Sequence, residues 1–155
     1  MPVRRVLFVC TGNLCRSPLA AALFLQEARA RGAALEASSV GIYASPGAQP
    51  PWEIVQLARE DDLDLSGHSA RPVTRQAFDA ADLVIVMERG HLDTLRSLYG
   101  EEEGKLHMLS EFIPGRARGM DIPDPFERSL ADYRACLARI REGLAGLLRH
   151  LGAPA

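Results

Sequence analysis

Cys10 stands six residues ahead of Arg16, in the run Val6-Leu7-Phe8-Val9-Cys10-Thr11-Gly12-Asn13-Leu14-Cys15-Arg16-Ser17-Pro18. An apolar stretch there ends in a thiol, a short loop, a guanidinium and a helix start. The Val/Leu/Phe run shows no polar alternation and reads as a buried parallel strand. Ser17-Pro18 ahead of Leu19 to Leu25 reads as a helix opening with proline in its first turn. The loop therefore lies between the carboxyl end of a strand and the amino end of a helix. Backbone N–H groups at that end have no intrahelical partner, and the helix dipole adds to their positive field, which suits a phosphoryl dianion. Gly12 is expected to let the backbone fold back tightly, and Asn13 is one of the few residue types that tolerate positive φ. Arg16 can grip two phosphoryl oxygens in a planar fork, as a lysine could not. Thr11, Leu14, Cys15 and Ser17 complete a ring of residues expected to surround the group. The same positive surroundings favour a thiolate at Cys10. The chemistry implied is transfer of a phosphoryl group to sulfur.

Cleaving a phosphate ester by thiolate attack leaves an oxyanion that needs a proton, so a carboxylic acid must reach the leaving group. Asp121-Ile122-Pro123-Asp124-Pro125-Phe126 sets Asp124 between two prolines, which restrict the backbone around it. Asp124 is the candidate acid, and Asp121 is read only as a loop carboxylate.

The rest of the chain supplies the frame. Its 155 residues fit one domain over 1–155, and 18 Lys+Arg against 20 Asp+Glu give a net charge of −2. That balance offers no general attraction to nucleic acid or membrane. The apolar run near the amino terminus is shorter than the ~7–15 residues of a secretory core, so a cytoplasmic location is expected. Three cysteines, in a chain large enough to fold without bridges, are expected to rest as thiols, and their spacing does not suit a metal. No metal or cofactor is expected. After the first strand, loop and helix, 35–40 reads as a second strand, 41–51 as a loop, 52–59 as a helix, and 73–80 as a short helix capped by Thr74. Residues 82–87 read as a buried strand, 89–99 as a helix, 105–109 as a short strand, 110–126 as a long loop and 129–151 as an amphipathic helix. Strands alternating with helices predict an α/β fold with a parallel sheet covered on both faces, and ligands then bind beyond the carboxyl ends of the strands.

Taken whole, V-C-T-G-N-L-C-R-S-P resembles the phosphate loop of the low-molecular-weight protein tyrosine phosphatase family, and Asp124-Pro125-Phe126 resembles its general-acid loop. Ser39-Val40-Gly41 is similar to the family's S-A-G segment, Gly67-His68-Ser69-Ala70-Arg71 to its G-H-x-A-R segment, and Asp82 to Met87 to its D-x-I-x-V-M strand. The likeness spans essentially the whole chain. It implies a single-domain, three-layer fold with a four-stranded parallel sheet, and a protein phosphatase acting through a phosphocysteine at Cys10. Arg16 would clamp the phosphate and Asp124 would supply the proton. Asn13, Ser17, Ser39 and His68 would hold the loop, and Ser17 would also donate to the thiolate. His91, His107 and His150 match no motif.

The expected partner is a phosphorylated protein, the chain being a monomer or weak dimer. Tyr43 and Phe126 are expected as facing walls for a substrate ring. An arginine-phosphatase branch of the family has an A-S-P loop and D-P-F like those here, with threonine where this chain has Leu14. Phosphotyrosine is the first reading and phosphoarginine the alternative. Arsenate reduction would need further redox cysteines downstream, where only Cys136 stands in the terminal helix. A non-catalytic phosphopeptide-binding module would need neither Cys10 nor Asp124. The two loop cysteines, Cys10 and Cys15, raise the expectation of a protective disulfide.

Overall fold

The computed structural model describes residues 2–100, 102 and 104–154; Met1 and Ala155, the ends of the expected domain, lie outside the described residues. Strand β1 (Arg5–Cys10) leads through the phosphate loop into helix α1 (Arg16–Ala30). There follow β2 (Glu36–Gly41), α2 (Trp52–Glu60), α3 (Arg75–Ala80), β3 (Leu83–Val86), α4 (Arg89–Tyr99), β4 (Leu106–Met108) and α5 (Leu130–His150). The strands form one sheet in the order β2-β1-β3-β4, and every pair is parallel.

Strand parity explains where the thiol points. Successive side chains leave a strand on opposite faces. Val6, Phe8 and Cys10 therefore join one core cluster with Leu19 and Phe24 of α1, Leu57 of α2 and Ile140 and Leu144 of α5. Leu7 and Val9 join the other, with Phe78 of α3, Val84 and Val86 of β3, and Leu92 and Leu95 of α4. Both faces of β1 are thus covered, as its unbroken apolar run requires. Because β2 and β3 flank β1 on its two sides, the chain order reverses at the carboxyl end of β1, where Cys10 lies.

Local chemistry sets several boundaries. The Thr74 hydroxyl accepts from the Ala77 amide at 3.1 Å and opens α3. Ser129 does the same for α5, accepting from Asp132 N at 3.1 Å while the Asp132 carboxylate accepts from Ser129 N. Tyr133, Leu137, Ile140, Leu144 and Leu147 line the buried side of α5 as their spacing predicts. The 110–126 stretch departs from the expected plain loop: it begins in a 3₁₀ turn at Leu109–Phe112 and holds another at Gly115–Ala117. The first is pressed against α5, where a Cβ on Gly146 would collide with the Phe112 carbonyl oxygen. Among the described residues, no helix is long and apolar enough to cross a membrane.

Candidate active site

The phosphate loop is held from beneath by one side chain. Asn13 is fully buried at φ 56°, a left-handed conformation that asparagine tolerates. Its Nδ2 donates to Ser17 Oγ at 2.8 Å and to Ser39 Oγ at 3.0 Å, and its Oδ1 accepts from the Arg71 amide at 3.0 Å. Its carbonyl accepts from His68 Nε2 at 2.8 Å. Asn13, Ser17, Ser39 and His68 are thereby brought together as the sequence suggests. The left-handed residue is Asn13 rather than Gly12. A Cβ on Gly12 would meet nothing nearer than Leu14 at 3.8 Å, so glycine there leaves backbone room at the cavity instead of making the turn.

Cys10 Sγ lies 3.0 Å from Ser17 Oγ, which also lies 3.3 Å from the Val40 carbonyl. Asn13 Nδ2 already donates into Ser17 Oγ, so the single hydroxyl proton of Ser17 has two destinations, Cys10 Sγ and the Val40 carbonyl. A thiolate at Cys10 draws it, because a charge-assisted bond outweighs a long neutral one. Just beyond, the first turn of α1 has no side-chain cap and no acidic residue, leaving its amide hydrogens and dipole directed at the loop.

Arg16 is 1% exposed and reaches four groups. Its Nη1 donates to Glu88 Oε2 and, at 2.7 Å, to the Ile122 carbonyl; its Nη2 donates to Thr11 Oγ1 at 3.3 Å and lies 3.7 Å from Asp124 Oδ2. Its Nε finds no acceptor among the described residues. Burial works against the charge, but Cys10, the Glu88 hydrogen bond and Asp124 outweigh it, so the Arg16 pKa lies above its ordinary value. A buried donor with no protein partner, on a guanidinium that lines the Cys10 cavity, fits an oxyanion.

Two contributors have no sequence motif. Glu88 lies two residues past β3, at the carboxyl end of the interior strand that pairs with β1. His91, unassigned from sequence, is 6% exposed; its Nδ1 accepts from the Glu88 amide at 3.1 Å, which places the ring proton on Nε2, 2.9 Å from Thr11 Oγ1. Burial, then Arg16, lowers the His91 pKa against the pull of Glu88, Asp121 and Asp124, and the ring stays neutral. Glu88 and His91 stand three residues apart at the opening of α4, a capping spacing that could have flagged them.

A cavity of about 30 Å³ above Cys10 is lined by Gly12, Leu14, Cys15, Arg16, Asp124 and Phe126. Asp124 Oδ1 accepts from the Phe126 amide at 3.1 Å, which turns the loop and leaves Oδ2 toward Arg16. Asp121 instead accepts from the Arg89 amide at 2.8 Å, tying the loop to the start of α4. The apolar lining is Leu14 and Phe126. Tyr43 departs from the expected pair of walls: its side chain is 77% exposed and outside the lining, while its amide is spent on the Thr11 carbonyl at 2.8 Å. Burial pushes the Cys15 thiol far above its ordinary pKa and pushes Cys136 up to about 12, so both rest as neutral thiols. All three cysteines are free and buried.

Comparison with known proteins agrees with this geometry. Residues 5–154 match the family described as low molecular weight phosphotyrosine protein phosphatase. A low molecular weight protein-tyrosine-phosphatase of Streptomyces coelicolor is 38% identical, over 93% of this chain and 91% of its own. A protein-arginine-phosphatase of Bacillus subtilis is 36% identical, over 94% and 93%. The crystal structure of a low molecular weight protein tyrosine phosphatase from T. tengcongensis superposes with a TM-score of 0.87 at 34% identity, covering 95% of this chain and 99% of that one. A thiol beneath an arginine-lined phosphate loop, on a four-stranded parallel sheet matched along its length, therefore makes this chain a member of the low molecular weight protein-tyrosine-phosphatase family.

Proposed function

We propose that the protein hydrolyses phosphotyrosine in protein substrates through a phosphocysteine at Cys10. The observation that carries the substrate reading is the apolar pairing of Leu14 and Phe126 in the cavity that also holds Cys10 and Asp124. An aryl ring gains by burying itself between such residues. A guanidinium would find no hydroxyl there, where the arginine-phosphatase branch carries threonine.

Arg16 Nε and Nη2, with the loop amides, bind the phosphoryl oxygens. Cys10 Sγ attacks phosphorus, and the bond to the phenolic oxygen breaks as Asp124 Oδ2 gives that oxygen its proton. Asp124, now a carboxylate, takes a proton from water, whose oxygen attacks the phosphocysteine; the S–P bond breaks and inorganic phosphate leaves. Ser17 donates to Sγ at its 3.0 Å separation and stabilises the departing thiolate.

The second reading, phosphoarginine, is favoured by the 36% identity to a protein-arginine-phosphatase and by the Ala44-Ser45-Pro46 loop. One experiment separates the two: kcat/KM for a phosphotyrosyl and a phosphoarginyl peptide of the same sequence. Wild type should prefer phosphotyrosine, and Leu14→Thr should shift the ratio toward phosphoarginine. A wild type that prefers phosphoarginine overturns the first reading.

A further inference from the structure

Behind the segment that carries Asp124 lies a cavity of about 430 Å³, within the size range of small-molecule sites. Ile113, Met120, Ile122, Pro123 and Cys136 give it an apolar lining, and Asp124 lines both this space and the cavity above Cys10. The 121–125 segment is thus the partition between them.

The polar groups around this rear cavity are unevenly matched. Its three carboxylates are already engaged: Asp121 with the Arg89 amide, Asp124 with the Phe126 amide, and Asp132 with the Ser129 amide and hydroxyl. Its two cations are less so. Arg128 has no side-chain partner among the described residues, and Arg139 has only an exposed pair with Glu142 at 3.6 Å, one turn along its own helix. Ser110, 1% exposed, also lines the cavity, and its hydroxyl has no partner among the described residues. Buried polar groups rarely go unpaired without a reason. Cys136, held as a thiol, contributes apolar surface and no charge.

We propose that this rear cavity binds a small organic anion with an apolar body of aromatic size, its carboxylate meeting Arg128 and Arg139 and its occupancy setting the position of the 121–125 segment. The coupling is built from short contacts. Ile122 donates its amide to the Met87 carbonyl at 2.9 Å and accepts from Arg16 Nη1 at 2.7 Å through its own carbonyl. A ligand pressing on Ile122 and Pro123 therefore acts on Asp124 and Arg16 together. Binding stands independently of the function proposed above; only the effect on turnover rests on the role of Asp124.

The test uses phenylacetate, indole-3-acetate and the neutral phenylacetamide as probes, titrated into the full chain with vanadate saturating the Cys10 site. Amide NMR shifts at Ser110, Ile122 and Cys136 should saturate. The carboxylates should bind about tenfold more tightly than the amide, the worth of a charge-assisted hydrogen bond. Arg128→Gln with Arg139→Gln should erase that preference. Ala135→Trp, which fills the cavity from an exposed position on α5, should abolish the shifts while leaving the thermal midpoint in place. Without vanadate, both acids should change kcat in wild type and not in Ala135→Trp. Absence of saturable shifts for all three probes, equal affinity of acid and amide, or shifts that survive Ala135→Trp would each overturn the site. Binding with unchanged kcat would overturn the coupling. If Asp124 is not the acid, Asp124→Ala keeps wild-type kcat but the shifts remain.

Discussion

Gly41 ends β2 beside Cys10 in the sheet register, and a Cβ placed on it would stand 2.7 Å from the Thr11 carbonyl oxygen, 2.8 Å from Asn13 N and 3.0 Å from Gly12 C. An ordinary Cβ contact begins near 3.4 Å, so the first overlap is about 0.7 Å against rigid backbone. Something must move. Gly41 is fixed by its amide bond to the Arg71 carbonyl and its carbonyl bond from the Val73 amide, both 2.9 Å, and its neighbour Ile42 bonds the Cys10 carbonyl at 2.9 Å. The displacement therefore falls on Thr11 to Asn13, the backbone that would hold the phosphoryl oxygens. Overpacking of this kind costs about 1–3 kcal/mol of stability, and misplacing a reacting group by about 1 Å costs about 10²-fold in rate. Gly41→Ala should lose stability in that range and lower kcat/KM for an aryl phosphate by about 10- to 100-fold. Urea unfolding and steady-state kinetics read the two effects. Gly90, inside α4 with nothing within 4 Å of its virtual Cβ, is the control, where the same methyl should add about 0.5–1 kcal/mol. Wild-type turnover and an unshifted midpoint in Gly41→Ala would refute the close-approach argument.

Asp124→Ala should lower kcat for phosphotyrosine by about 10²- to 10⁴-fold and much less for an ester with a stable leaving group, since only the former needs a proton; equal losses on both would exclude proton donation. His91 is held neutral in the fold, so below its unfolded pKa of about 6.5 the unfolded chain takes a proton that the folded chain refuses. Stability should therefore fall as pH drops below about 6.5, and His91→Gln, which keeps a donor for Thr11, should flatten the urea midpoint between pH 7 and pH 5. An identical slope in both proteins would remove His91 as the source. After brief peroxide treatment and reductant, wild type should recover through a Cys10–Cys15 disulfide seen by mass spectrometry, faster at higher pH because burial keeps Cys15 protonated. Equal recovery in Cys15→Ser would leave Cys15 with a packing role.

What could be read from the chain without its fold, and what could not, divides by sequence distance. The phosphate loop was legible because its thiol, its left-handed asparagine, its guanidinium and its helix start all fall in one short run from Cys10 to Ser17, and each obeys a local rule. Helix α5 was legible because its apolar positions repeat at helical spacing. The 3₁₀ turns at Leu109–Phe112 and Gly115–Ala117 have no period to detect. The glycine that one of them requires, Gly146, acquires its meaning only from Phe112, far back in the chain. Tyr43 was misplaced for a similar reason. Its position after the S-V-G segment suggested a wall, but its amide bond to Thr11 fixes the backbone and leaves the ring in solvent.

Arg16 shows the point most directly. From sequence it is a phosphate clamp and nothing more. In the fold its Nη1 is committed to Glu88 and to the Ile122 carbonyl, groups 72 and 106 residues away that only the β1–β3 pairing and the return of the 110–126 segment bring within reach. That commitment divides the labour of one guanidinium. Nη1 ties the 121–125 segment to the phosphate loop, and Nε, with no protein acceptor among the described residues, is left for a phosphoryl oxygen in the function proposed above. Arg16→Lys would keep the charge but could not serve both sides at once. It should therefore weaken phosphate binding and loosen the 121–125 segment together, so Asp124→Ala made on that background should cost less than it does in wild type, because the acid would no longer be held in place. Fully additive losses in kcat for the two substitutions would show that the Arg16 bridge to Ile122 plays no part in positioning Asp124.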